Sequence, residues 1–149
     1  MGLYYPIQDT FPIVGTKSGT TRTSWALTSG YQTETGTQPT KSFAVGGHSK
    51  LDLAVLYTMG AAETANSIEL KIEESPDGTN WYRIPNEAVS GGTSTLTARE
   101  FTFVGSDAAA ATISIGLDIF YKYIRVSAKE TGVASNVGSV YIEATLSGK

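Results

Sequence analysis

A chain of 149 residues with 40% hydrophobic and only 17% charged side chains is long enough for one cored domain, too short for two, and too apolar for a disordered charged chain. Its net charge of -3, with eleven scattered Lys and Arg, argues against a duplex-binding protein, because phosphate contacts need clustered cations. Cysteine is absent, which excludes disulfide staples and thiolate metal sites, and no apolar run approaches the roughly 20 residues of a membrane-spanning helix.

The opening MGLYYPIQDT lacks the basic region and long apolar stretch of a secretory signal, so the expectation is a soluble protein not exported by that route. Residues 1–42 are rich in Thr, Ser and Gly and carry only five charges, Asp9, Lys17, Arg22, Glu34 and Lys41. They hold too few apolar groups for a core of their own. Yet Tyr4, Tyr5, Phe11, Trp25 and Tyr31 are too many aromatics for a plain tail. This composition suits an extended N-terminal arm that docks on something else, with those five aromatics as partner-binding anchors. On that reading, removal of residues 1–30 leaves the rest folded. Edge strands and loops of the same domain remain the alternative.

From Phe43 onward, short strands alternate with turns. Leu51, Leu53, Val55 and Tyr57 share one parity, as do Ile68, Leu70 and Ile72 against Glu69, Lys71 and Glu73. Ser75-Pro76-Asp77-Gly78 then supplies a preset φ, an Asx cap and a residue tolerant of positive φ. This predicts a hairpin whose second strand starts at Thr79 and carries Trp81 and Ile84. Residues 93–104 read as one Thr-rich strand with Phe101 and Phe103 on a single face. Ala108 to Ala111 is too short for more than a helical turn. Ile113 and Ile115 begin a run that Gly116 interrupts. Phe120, Lys122, Ile124 and Val126 oppose Tyr121, Tyr123 and Arg125 on a further strand, and Val140, Ile142, Ala144 and Leu146 share a face on the last. Seven or eight such strands without a helix-period segment predict an all-β antiparallel sandwich or jelly roll over residues 43–149. Leu53, Val55, Leu70, Ile72, Phe103, Ile124, Ile142 and Ala144 form its predicted core.

No catalytic constellation is visible, and neither a cofactor motif nor a metal motif appears. His48, the single histidine, lies near Asp52, but neighbours along a strand point to opposite faces, so a surface or turn histidine is the better reading. Glu73, Glu74 and Asp77 crowd oxygen ligands of the kind calcium takes, without the spacing of a dedicated loop; a solvated turn fits better. Trp81 is either exposed for stacking on a sugar or, as its neighbour Ile84 suggests, buried as a plug.

The run Glu74-Ser75-Pro76-Asp77-Gly78-Thr79-Asn80-Trp81, followed by Lys122-Tyr123-Ile124-Arg125-Val126, resembles the paired signatures of discoidin-type jelly rolls, which recur in small virion proteins of tailed bacteriophages. The whole-chain layout resembles phage head decoration, or cement, proteins. That resemblance implies a non-enzymatic virion structural protein, made in the host cytoplasm. It would bind the outside of the major capsid protein shell, as a homotrimer, and stabilise it by clamping neighbouring subunits, with no nucleic-acid or membrane partner. The rival expectation is a carbohydrate-binding, discoidin-like module of a tail or secreted protein. It requires exposed aromatics at the loop end of the sandwich instead of on the arm.

Overall fold

A computed structural model of the chain describes residues 9–60, 66–90, 93–98, 100–104, 110–132 and 137–148. Their fold is all-β and antiparallel, with two sheets stacked as a sandwich. The strands are β1 (Asp9–Val14), β2 (Thr16–Ser18), β3 (Thr21–Thr23), β4 (Trp25–Ala26), β5 (Thr40–Ala44), β6 (Lys50–Thr58) and β7 (Ser67–Ser75), followed by β8 (Tyr82–Arg83), β9 (Pro85–Ser90), β10 (Thr93–Ala98), β11 (Glu100–Val104), β12 (Ala110–Asp118), β13 (Tyr123–Thr131) and β14 (Ser139–Ser147).

The first sheet runs β1-β14-β6-β12, with β4 also on β14; the second runs β11-β7-β13-β5, with β8 on β7. Each long strand presents one parity inward. Leu51, Leu53 and Val55 meet Ile68, Leu70, Ile72, Ile124, Val126, Val140, Ile142 and Ala144, all nearly inaccessible to water. The predicted core is therefore the observed one, with Phe103 packed at its margin and stacked on Tyr57.

Several local expectations change. Gly116 does not interrupt β12, which pairs with β6 from Ala110↔Thr58 to Asp118↔Lys50; Ala110 and Ala111 are extended in that strand. Residues 93–98 and 100–104 form two separate strands: β10 pairs with β9, and β11 pairs with β7. The hairpin after β7 resumes pairing only at Tyr82, not at Thr79. Asp77 captures the Thr79 and Asn80 N–H groups, both at 2.8 Å, and so withholds them from the ladder.

The largest correction concerns the boundary placed at residue 42. From Asp9 the chain runs extended, but along its own domain: β1 pairs with β14 from Asp9↔Leu146 to Val14↔Ile142, and β4 pairs with Val140 and Ser139. Val14 and Leu27 lie in the core. Between these edge strands, Gly15 (φ 91°) turns the chain so closely over Tyr141 that a Cβ would meet its ring at 2.7 Å. The β2–β3 hairpin then covers the outer face of the first sheet, where Lys17 and Arg22 reach Glu143 at 3.2 and 3.5 Å. Further along, the Tyr31 ring lies against the Lys71 and Lys129 ammonium groups on the outer face of the second sheet. Residues 9–44 thus wrap both sheets, because Tyr141, Glu143 and the Lys71–Lys129 row offer them polar partners that a bare sandwich would leave to water.

Candidate functional site

Of the five aromatics expected to anchor a partner, Tyr4 and Tyr5 lie outside the described residues. The other three are engaged within the chain. Phe11 meets Phe43 edge to face at 5.4 Å, joining the two sheets at their β1–β5 side. Trp25 packs against the core, and Tyr31 is held by the two lysines. They sit at separate places on the fold and do not form one surface.

The two family-like signatures come together. Tyr123 pairs with Ser75, Ile124 with Glu74 and Arg125 with Glu73. Asp77 Oδ1 accepts from the Thr79 and Asn80 amides and from Ser75 Oγ, while Oδ2 accepts from Asn80 Nδ2; these bonds hold its carboxyl far below the usual range. Gly78, at φ 75°, passes the Tyr123 ring, which would touch an added Cβ at 3.7 Å. Arg125 donates to Glu73 at 2.7 Å and lays its guanidinium 4.4 Å from the centre of the Trp81 ring. Trp81 is accordingly half-buried, with one face covered. The pair of signatures builds a turn and locks it to the next strand.

This arrangement also divides the carboxylates considered for calcium. Glu73 faces outward to Arg125 and Lys71, Glu74 faces inward, and both Asp77 oxygens serve the turn. No group of three or more His, Cys, Asp or Glu converges among the described residues. His48 is buried, with Nδ1 2.7 Å from the Val45 carbonyl oxygen and Nε2 3.6 Å from the Asp9 carboxylate. It joins the β5–β6 loop to the start of β1.

A different site emerges at the end of the sandwich where β5 leads to β6, β7 to β8 and β12 to β13. The sequence continues the β13 alternation back through Phe120, but the ladder starts only at Tyr123. Residues 119–122 are a loop, fixed by Ile119 N–H on the Ser49 carbonyl and by Phe120 N–H on Glu74 Oε1 at 3.0 Å. Freed from the sheet, Phe120 is 76% exposed and Tyr121 45%, with Tyr82 beside them at 55%. The Tyr82 and Tyr121 rings lie 6.3 Å apart, tilted by 36°.

Phe120 and Tyr121 form a ridge between two grooves. The first, of about 640 Å³, is bounded by the Gly46–Ser49 loop, Pro76, Lys122 and Tyr123; the second, of about 600 Å³, by Glu74, Tyr82, Arg83 and Asp118. Both fall in the range of roughly 300–1,000 Å³ usual for small-ligand sites. Burial pushes the Glu74 carboxyl above its ordinary value, partly offset by the Phe120 amide. The sequence signal for this face is faint: Phe120, Tyr121 and Tyr123 stand where a continuous strand would have shared them between its two sides.

No protein-family model matches the chain, and no curated protein sequence matches it. Among solved structures, the chain is similar to one described as the X-ray crystal structure of a non-crystalline cellulose specific carbohydrate-binding module, CBM28. The identity is 9% and the TM-score 0.47, over 87% of this chain and 76% of the other.

Proposed function

We propose that the chain is a non-catalytic binding module whose aromatic end takes a carbohydrate. The observation that carries this is the placement of Tyr82, Phe120 and Tyr121: three exposed rings gathered on the connecting loops at one end of a sandwich, beside two grooves. A sugar ring offers an apolar C–H face to an aromatic and hydroxyl groups at its rim, and the grooves supply both kinds of partner. The arm does not compete for this role, since its described aromatics are packed against the chain itself.

Affinity electrophoresis in native gels containing neutral polysaccharides tests the reading. The protein should be retarded in at least one gel, and Phe120→Ala and Tyr121→Ala should each weaken retardation about tenfold. Unchanged mobility in every gel would overturn it.

A second reading, a virion protein bound to the outside of a phage capsid as a homotrimer, is favoured by the resemblance of the Glu74–Trp81 and Lys122–Val126 runs to small virion proteins. Their joint role in building the β7–β8 turn weighs equally for both readings. Co-sedimentation with purified capsids, set against the gels, separates the two.

A further inference from the structure

The second groove contains a residue that the fold alone does not explain. Ile68, Leu70, Ile72 and Glu74 share the inward parity of β7, and the first three are core. Glu74 is 4% exposed, and its cross-strand neighbours are Ile124, itself core, and Tyr82. A carboxylate at the end of an apolar row is unfavourable unless its oxygens are engaged. The described bond from Phe120 N–H engages Oε1. Glu74 also lines the groove, together with Tyr82, Tyr121 and Asp118.

The ridge adds a constraint on ligand size. Phe120 and Tyr121 belong to both grooves, so a ligand stacked on the ridge has room on either side of it. A single sugar ring covers only one side. A chain laid across the ridge covers both and gains two sets of contacts through one association.

We infer that the site takes a saccharide chain crossing the Phe120–Tyr121 ridge, with Glu74 as the acceptor of ligand hydroxyls that sets specificity in the second groove. This rests on the carbohydrate reading above. Glu74 also positions the ridge through the Phe120 amide, so ligand recognition and loop placement meet in one side chain. A hydroxyl-rich ligand suits this group because a desolvated carboxylate accepts strong hydrogen bonds and has no donor of its own when ionised.

Isothermal titration with neutral oligosaccharides tests the inference. The probes are β-1,4-glucan, α-1,4-glucan, β-1,4-mannan and β-1,4-linked N-acetylglucosamine, each from the single sugar to the hexamer. In the series that binds, affinity should rise at least about tenfold between monomer and tetramer and then level off. Glu74→Gln keeps the size of the side chain and an oxygen for the Phe120 amide; it should lose about tenfold for the tetramer with its melting temperature maintained or raised. Tyr82→Ala, at an exposed position, should lose about fivefold for the tetramer without unfolding the chain. Monomer and tetramer binding equally would overturn the ridge-crossing chain. A folded Glu74→Gln protein with wild-type affinity would overturn the role of Glu74. Either result, with gel retardation still dependent on Phe120, leaves the carbohydrate reading standing; absence of both retardation and titration heat overturns that reading as well.

Discussion

At the scale of single residues, Glu130 governs the end of the sandwich opposite the aromatic face. It is fully buried, and its carboxylate accepts from Gly60 N–H at 3.0 Å, from Asn66 Nδ2 at 3.2 Å and from Gly138 N–H. Glu130→Ala strands these buried donors and should destabilise the protein by about 3 kcal/mol or more, read from urea unfolding. Leu70, fully buried on β7, tests the packing itself. Leu70→Ala should cost roughly 2–5 kcal/mol through lost burial and a residual cavity, and a loss under about 1 kcal/mol would contradict its inward placement. Such core positions are legible in the sequence because their alternation is unbroken. Glu130 is not: it shares the inward parity of Ile124, Val126 and Ala128, and its charge reads as a strand end until Gly60, Asn66 and Gly138 are seen to converge on it.

At the scale of elements, the β2–β3 hairpin is a clasp fastened to one carboxylate. Glu143 accepts from the Tyr141 hydroxyl at 2.7 Å and receives Lys17 and Arg22, which together hold its carboxyl below the ordinary 4.5. Because the folded value lies below the unfolded one, this stabilisation is present above pH 4.5 and is lost as pH falls through the folded value. Amide exchange, corrected for intrinsic rate, should therefore show Thr16–Thr23 losing protection as pH falls below 4.5 while β6 keeps it; Glu143→Gln should loosen the clasp already at neutral pH. The clasp and its flanking strands are hard to read from sequence for a definite reason. The β1–β14 register shifts between Pro12 and Val14, so Ile13 and Val14 are both buried and the period of two is broken where it would have announced a strand. Pro12 is tolerated because β1 is an edge strand, where its missing N–H removes no second ladder bond. The hairpin after β7 is legible for the opposite reason: Ser75, Asp77 and Gly78 determine it locally.

At the scale of the whole molecule, residues 9–44 are part of the sandwich rather than an appendage. Deletion of residues 1–26 removes β1 and β4 from β14, strips the cover from Tyr141 and Glu143, and empties the positions of Ile13 and Val14. The truncated chain should therefore lose its cooperative thermal transition in circular dichroism. The β1–β14 pairing has one more consequence, for how the protein is handled. Asp9 pairs with Leu146, Asp9 lies beside His48, and Ser49 N–H donates to the Gly148 carbonyl, so Asp9 and Gly148 both lie next to the loop that walls the first groove. A bulky group coupled directly at Asp9 would crowd the aromatic face. The sequence has no cysteine, so Val137→Cys, exposed at the far end beside Gly138, offers a unique thiol for coupling. Biosensor chips loaded through that thiol should capture ligand at full capacity, and chips loaded through the thiol of Asp9→Cys should register a depressed response for the same mass of protein.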